Sequence, residues 1–240
     1  FTWRMITLLV KGLKDRGIAD YRTHPKFLAG ARVFIESITP PDPRFDPPRR
    51  MFPPIGHHPY NTPNQLGLYE WNALQFQDID PKLAAESHWA WLQAGQTADY
   101  HYLMPLNFFW ANKDFKAAVP ELASRPLDGF GYIFRNHFPG GAETYMSFKA
   151  GRIFYHHDGD EGSFHMFGKG VPLAADGLEL IAHARPSNHN SVEIMYTPEY
   201  EKGGYPRGGR LTAHIESSAV DWARGFFAKE DTRRAEFMVP

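Results

Sequence analysis

The spacing of apolar residues changes along the chain, from a helical period in the first half to alternation in the second. Asp80 precedes one helical pattern as a candidate N-cap, Pro81 takes its first position, and Gly95 follows its end. Apolar side chains at intervals of three and four residues predict amphipathic helices. The helices predicted in this way span residues 3–14, 25–37 and 80–95.

From about residue 127 onward, apolar and polar residues alternate in short runs separated by Gly, Pro, Asn and Asp. Such runs between turn-forming residues are typical of antiparallel strands. Because helices come first and strands follow, we predict an α+β chain of two segregated parts, residues 1–122 and 123–240, rather than alternating βαβ units. The alternating runs are 129–138, 143–151, 162–170, 191–198 and 210–217.

Nine prolines fall in residues 40–63, between the second and third predicted helices. That density excludes a helix or a central strand, because proline donates no backbone hydrogen bond. A flexible linker is one interpretation of this segment. The other is an ordered loop on the surface over residues 40–64, favoured by the apolar residues between the prolines. These are Phe45, Met51, Phe52, Ile55 and Tyr60.

Composition and charge narrow the classes of function. A formal net charge of -1 argues against a nucleic-acid-binding protein, because phosphate contacts normally require a basic excess. No apolar run reaches about 18 residues, so no membrane-spanning helix is predicted. The absence of cysteine removes disulfides, cysteine nucleophiles and cysteine-based zinc sites. An aromatic fraction of 15% suits a carbohydrate-handling protein and a large β-rich core equally well.

Histidine and aspartate concentrate in residues 154–177, FYHHDGDEGSFHMFGKGVPLAADG, and shortly after them. In an extended chain His156 and Asp158 share a face; Asp176 ends a later run, and His189 begins another. Nitrogen and oxygen ligands from neighbouring strand ends can form a zinc-type site. Glycine-rich turns also collect Asp, Asn and His, so the spacing leaves a metal or catalytic site and a polar turn both open.

Cationic residues accompany this cluster. Arg135, Lys149, Arg152 and Lys169 fall in the same strand region, where they indicate either a solvated strand face or a site for an anionic ligand. His57 follows the sequence PPIG in the proline-rich segment and is a further candidate for a site.

Taken together, these motifs resemble those of the heparinase II/III-like polysaccharide lyases. That family carries His-x-His-x-Asp-x-(Gly/Asn)-Ser-Phe, then GxPLxxDxG, then a HN(T/S)V strand. This chain has HHDGDEGSF, KGVPLAADG and HNSV in the same order, and PPIGHH and RRAEFMVP resemble two further family segments. The resemblance covers most of the chain. It implies the end of an incomplete α/α toroid followed by the first part of an antiparallel β-sandwich.

The resemblance also implies an activity, the cleavage of a uronate-containing polysaccharide such as alginate or a glycosaminoglycan by β-elimination. The C5 proton of a uronate can be removed once its carboxylate is neutralised, by a Tyr or His base, while a Tyr protonates the leaving oxygen. By position, His156 is implied to be catalytic. For an anionic substrate of this kind, we predict that Arg135, His57 and Arg152 bind it. The family implies a periplasmic or secreted protein, and a homodimer is left open.

A structural zinc is implied as well. Asp176 and His189 match two of the family's zinc ligands, and position 158 holds Asp where the family has its second motif His. Because Asp can ligate zinc, we expect a site formed by Asp158, Asp176 and His189. Loss of the metal, or replacement of the third ligand by His157, stays open.

The family's catalytic Tyr and a second His lie upstream of the segment matched by residues 1–40. We therefore expect the chain to be the C-terminal part of a longer lyase, and to be inactive by itself. Two other classes stay open: a non-catalytic carbohydrate-binding or scaffold relative, and a metal-dependent β-sandwich enzyme. The latter would use His156, Asp158 and His189 as a facial triad.

Overall fold

A computed structural model of the chain combines helices with antiparallel sheets, as the α+β prediction requires. The chain divides into two compact units, residues 1–52 with 62–121, and residues 53–61 with 122–240. None of the described helices is both long and apolar enough to cross a membrane. The structure describes residues 2–53, 67–97, 114–151, 162–174, 190, 210–215, 221–226 and 234–239.

Helices dominate the described part of the first unit. A short antiparallel pair lies between the second and third helices, with Pro41 opposite Arg50 and Asp42 opposite Arg49. The elements in chain order are α1 (Thr2–Asp15), α2 (Pro25–Glu36), β1 (Pro41–Asp42), β2 (Arg49–Arg50), α3 (Gly67–Phe76) and α4 (Pro81–Gln93).

The three predicted helices are confirmed as α1, α2 and α4, and the ends of α4 follow from its sequence. The Asp80 side chain accepts a hydrogen bond from the Leu83 N–H at 2.9 Å, which satisfies a donor left open at the helix start. Pro81 takes the first helical position, where its missing N–H costs nothing. Gly95, just past the end, has φ +82°, a conformation that glycine adopts without strain.

Helix α3 was not predicted. It begins soon after the proline-rich segment, and nine of its ten residues are buried. Its interior positions include Glu70, Asn72 and Gln75 beside Trp71 and Phe76. A helix that is buried on nearly every side shows no alternation between an apolar and a polar face, so periodicity cannot reveal it.

The described part of the proline-rich segment lies partly on the surface and partly in the interior: residues 43, 44 and 46–48 are exposed, whereas Asp42, Arg50 and Met51 are buried. Met51 is fully buried, and its N–H donates to Thr39 Oγ1 at 2.9 Å, while the Thr39 N–H donates to the Met51 carbonyl at 2.8 Å. The buried Arg50 guanidinium donates to the Thr39 carbonyl and lies over the Trp89 ring, 5.4 Å from its centroid. Ile55 and Tyr60 lie outside the described residues.

Helices α1 and α2 meet at Trp3 and Gly30. The Trp3 ring stacks on Phe27 with a centroid distance of 4.9 Å, and its Nε1–H donates to Asn72 Oδ1 at 3.2 Å. A Cβ atom at Gly30 would lie 2.5 Å from the Trp3 ring. The absence of a side chain at Gly30 therefore permits this close packing.

Arg22 joins the chain between α1 and α2 to the turn between α3 and α4. Its buried guanidinium donates to Asp20 at 2.6 Å, to Asp78 at 2.7 Å and to the Gln75 carbonyl at 2.9 Å. The hydrogen bond with Arg22 lowers the pKa of Asp20 to about 2 and also lowers the pKa of Asp78. Both carboxylates are thereby stabilised in their charged form.

The second unit contains two antiparallel sheets among its described residues. The five-stranded sheet has the order β3-β4-β5-β6-β7, and the three-stranded sheet the order β10-β9-β8. Strands β8 and β9 both contact β4. The strands are β3 (Arg125–Leu127), β4 (Gly131–Asn136), β5 (Thr144–Lys149), β6 (Phe164–Gly168), β7 (Val171–Ala174), β8 (Arg210–Ile215), β9 (Asp221–Phe226) and β10 (Arg234–Val239).

The predicted runs 129–138, 143–151, 162–170 and 210–217 are confirmed as β4, β5, β6 and β8, whereas the run 191–198 lies outside the described residues. One face of the larger sheet carries an apolar cluster to which β4, β5 and β6 all contribute. The other face carries two cross-strand rows, Ile133–Ser147–His165 and Arg135–Tyr145–Phe167. The cluster consists of Tyr132, Phe134, Met146, Phe148 and Ala150, with Phe164 and Met166 packed against it.

The Trp3–Gly30 contact predicts opposite effects of one substitution at two helical glycines. Gly30→Ala should lower the free energy of unfolding by about 1–3 kcal/mol, because Trp3 must move from its aromatic stack and hydrogen bond. Gly12→Ala in α1 is the matched control; a Cβ atom there would have nothing within 4 Å of it, so this substitution should stabilise by about 0.5–1 kcal/mol. Urea denaturation measures both, and equal effects of the two substitutions would contradict the packing role of Gly30.

The Arg22 cluster predicts a pH dependence of stability. The pKa of Asp20 is about 2 in the folded chain and near its ordinary value of 3.8 when unfolded, so this carboxylate stabilises the fold above about pH 4. That contribution should be lost as the pH falls from about 4 to 2. The difference in Tm between the wild type and Arg22→Gln should therefore shrink over this interval. A difference that stays constant down to pH 2 would argue against the ion pair.

Candidate functional site

Most of the predicted site residues lie outside the described residues; Arg135 lies within them, as do Lys149 and Lys169 of the cationic group. The structure nevertheless describes the strands at which the predicted site segments leave the sheet and return to it. These positions show where in the fold the segments are anchored. The residues outside the described ranges are His57, Arg152, His156, Asp158, Asp176 and His189.

The segment that carries His156 and Asp158 connects β5 to β6, and backbone hydrogen bonds close its base. The Lys149 N–H donates to the Ser163 carbonyl at 3.0 Å, and the Gly162 N–H donates to the Lys149 carbonyl at 3.0 Å. Residues 152–161 therefore start and end at neighbouring points of one strand pair.

The start of the same segment packs tightly on the turn between β3 and β4. The Ala150 N–H donates to the Phe130 carbonyl at 2.9 Å. A Cβ atom at Gly151 would lie 2.0 Å from the Gly129 carbonyl oxygen, so the backbones are in direct contact there. Glycine is required at position 151 because backbone atoms of this turn cannot move aside for a side chain.

Asn190, which follows His189 in the HNSV motif, is anchored on β6. Its side-chain amide donates to the Phe164 carbonyl at 3.0 Å, and its own carbonyl accepts the Phe164 N–H at 3.3 Å. The carbonyl of the preceding Ser163 bonds to Lys149 of β5, and peptide groups alternate between the two edges of a strand. Asn190 therefore lies on the edge of β6 opposite β5, the edge along which β7 runs.

The predicted metal ligands thus have their anchor points at one end of the five-stranded sheet. Ala174, the last residue of β7, pairs with Met166, which is two residues, or about 7 Å, along β6 from Phe164. Asp176 is two residues beyond Ala174 in the sequence, and His189 is one residue before Asn190. We call this end, marked by Lys149, Phe164 and Ala174, the motif end of the sheet.

Arg135 lies towards the opposite end of the same sheet, in the row with Tyr145 and Phe167. Its guanidinium forms a buried ion pair with Glu143, whose carboxylate is fully buried. It also lies over the Tyr145 ring at 4.8 Å and the Phe138 ring at 5.3 Å. Each of these contacts is made within the chain; substrate binding by Arg135 stays a prediction.

Glu143 and Tyr145 complete this buried cluster. The Glu143 carbonyl accepts the Gly170 N–H at 2.8 Å, which joins the turn after β4 to the turn after β6. Burial raises the pKa of the Tyr145 phenol above its usual range, although the Arg135 charge opposes the shift. The phenol is therefore a neutral group at physiological pH.

The first unit contains a second buried polar pair that the sequence did not reveal. His88 Nδ1 on α4 lies 2.6 Å from Glu70 Oε2 on α3, and both side chains are almost completely buried. The imidazole ring packs against Trp91 and Phe115, at centroid distances of 5.7 and 5.5 Å. No sequence signal could have paired these residues, because they lie 18 positions apart on two helices.

The chain is similar to several solved structures. Heparinase III matches with a TM-score of 0.50 and 14% identity over 83% of this chain and 30% of its own chain. A Heparinase III gene product with methylated lysines has a TM-score of 0.44, 16% identity, and coverage of 78% and 29%. The heparan sulfate lyase HepC from Pedobacter heparinus has a TM-score of 0.42, 13% identity, and coverage of 79% and 27%.

At 14% identity, the similarity to Heparinase III concerns the fold alone. The match to Heparinase III confirms, at the level of fold, the resemblance to heparinase II/III-like lyases that the motifs indicated. This chain spans less than a third of the length of the matched structures. No protein-family model and no curated protein matches the sequence.

The buried Arg135–Glu143 pair predicts unequal effects of single and double substitutions. Glu143→Ala should destabilise the chain by about 3–5 kcal/mol, because it leaves the Arg135 cation buried without its partner. The double variant Arg135→Met with Glu143→Leu removes both charges and should recover most of that loss. Asp15→Asn, which breaks the exposed Lys11–Asp15 pair, is the control and should change little.

Urea denaturation measures the unfolding free energies, and a single variant as stable as the exposed control would contradict a buried ion pair. The folded double variant also tests the predicted contact of Arg135 with substrate. A raised KM for the polysaccharide in that variant would support the contact, and an unchanged KM would exclude it.

Proposed function

We propose that this chain is part of a polysaccharide lyase that cleaves a uronate-containing polysaccharide by β-elimination. One observation carries the proposal: three motif segments, in the order typical of heparinase II/III-like lyases, depart from or return to the motif end of one antiparallel sheet. In the sequence these segments are separated by up to about thirty residues. The antiparallel order β5-β6-β7 brings the end of β5, the start of β6 and the end of β7 to this end, and the bonds of Asn190 to Phe164 add the third motif.

The chemistry of β-elimination accounts for the residue types in these segments. Removal of the uronate C5 proton builds negative charge on the adjacent carboxylate, which cationic and hydrogen-bonding groups must stabilise. Arg152 and His57 are the residues that we assign to this carboxylate, with Arg135 as the further predicted contact. His156 is assigned to the substrate groove, where an imidazole can transfer a proton near neutral pH. The C4–O4 bond then breaks, and the leaving oxygen takes up a proton.

The three predicted ligands form a set of donor atoms suited to a structural zinc. Asp158, Asp176 and His189 supply two carboxylates and an imidazole, which are ordinary zinc ligands, and the chain contains no cysteine to compete with them. Bound there, zinc would tie the β5–β6 segment to the segment after β7. Among the described residues there is no group of three side chains suited to a metal, so the assignment rests on the motifs and their anchor points.

The remaining assignments follow from the same family. The helices of the first unit are proposed to be the last part of an α/α toroid, and the two sheets of the second unit the first part of a β-sandwich. An acidic polysaccharide such as alginate or a glycosaminoglycan is the proposed substrate. The proposed location is the periplasm or the exterior of the cell, where such polymers occur.

The full-length protein tests the proposal when it is incubated with a panel of uronate polymers. β-Elimination leaves a 4,5-unsaturated uronate, whose ultraviolet absorbance should rise with at least one polymer. His156→Asn should lower kcat by about 10²- to 10⁴-fold, because it removes a group that transfers protons. His137→Asn is the matched control, since His137 is exposed at the other end of the sheet and Asn tolerates its φ of +60°.

The absence of product with every polymer, in a folded protein, would refute the lyase. Polymer binding without product would favour a non-catalytic carbohydrate-binding relative. Activity that disappears with a chelator while the fold persists would favour a metal-dependent enzyme, because removal of a structural zinc lowers stability as well.

A further inference from the structure

We propose that Asn190 is a positioning residue, which fixes the adjacent His189 for a divalent metal by taking the place of a backbone strand partner on β6. The inference rests on the proposed function, because that proposal assigns His189 to the metal. Asn190 itself is assigned no contact with metal or substrate. Its effect is exerted through the position of the chain on either side of it.

The hydrogen bonds of Asn190 continue the ladder of β6 beyond the end of β7. β7 pairs with β6 as far as Ala174 opposite Met166. Phe164 is the next residue of β6 whose N–H and C=O groups point to this edge. Both groups form a hydrogen bond with Asn190, at the point where β6 begins.

The hydrogen bond to the Phe164 carbonyl comes from the Asn190 side chain, so it depends on which residue stands at position 190. In an antiparallel ladder a backbone N–H would donate to the Phe164 carbonyl, and here the Asn190 side-chain amide does so at 3.0 Å. Among side chains of this length, only an amide supplies an N–H donor with this geometry, since Asp is ionised and can only accept. The backbone carbonyl of Asn190 completes the pair by accepting the Phe164 N–H.

This anchoring concerns the two described residues on either side of the predicted ligands. Ala174 and Asn190, which flank residues 175–189 in the sequence, lie at adjacent positions on the same edge of β6. Asp176 and His189 stand next to these two points in the sequence, so the Asn190 bond sets the separation of the chain ends that carry them. Residues that orient metal ligands in this way commonly change metal affinity by about 10- to 100-fold when they are replaced.

The isosteric substitution Asn190→Asp provides the test, since it removes the amide donor without changing the side-chain shape. In the full-length protein it should weaken zinc affinity at least about tenfold, as measured by competition with a chromophoric chelator. It should also raise the hydrogen-exchange rate of the Phe164 amide, while the other amides of β5 and β6 keep their protection. Asn190→Gln, which keeps an amide donor, should restore part of the zinc affinity.

Asn136→Asp is the matched control at the other end of the sheet. The Asn136 side chain accepts a hydrogen bond from the His137 N–H, and an Asp can still accept it, so zinc affinity should not change. The inference would be overturned if Asn190→Asp bound zinc as tightly as the wild type. It would also be overturned if the wild type bound no zinc. A loss of protection throughout the sheet would also overturn it, because it would show general unfolding. The lyase assay is separate: a wild type that binds zinc and yields no product refutes the proposed function alone.

Discussion

The hydrogen-bonding requirement of strand β6 organises the second unit. Each peptide group of a buried strand needs a partner, since leaving one unpaired costs about 1–3 kcal/mol. β5 meets this requirement along one edge of β6; β7 and then Asn190 meet it along the other. The connection between β5 and β6 and the chain between β7 and Asn190 therefore have their described ends at the same end of the sheet. The proposed site depends on that convergence.

Buried polar groups impose a second constraint, and two buried pairs in the described residues show how it is met. Arg135 pairs with Glu143 in the sheet unit, and Glu70 pairs with His88 in the helical unit. Such pairs contribute little net stability relative to apolar residues, but removing one partner leaves the other buried without it. They therefore favour a single arrangement of the strands or helices that carry them. Glu143 also joins two neighbouring turns, because its backbone carbonyl accepts the Gly170 N–H.

The proposed function depends on the order of the motifs in the sequence and on the five-stranded sheet to which their segments are connected. The motifs contain the residue types that a polyuronate lyase requires. The sheet brings the ends of strands that are distant in sequence close together, so that their segments can form one site. The fold likeness to Heparinase III is consistent with both, although at 14% identity it concerns architecture alone. Catalytic roles for His156 and the metal ligands therefore depend on the motifs, whereas the role of Asn190 depends on the observed hydrogen bonds.

The sequence by itself determined the elements whose signals are local. The Asp80 cap, Pro81 and Gly95 mark the ends of α4, and the alternating runs mark β4, β5, β6 and β8, because caps and periodicity involve neighbouring residues. Tertiary structure decided the rest. α3 escaped prediction because burial on all sides removes its period, and the pairs Arg135–Glu143 and Glu70–His88 arise only when separate elements pack together. The motif placed Asn190 next to His189, but only the register of β6 shows that its side chain replaces a strand partner, since a hydrogen bond between residues 26 positions apart has no local signature.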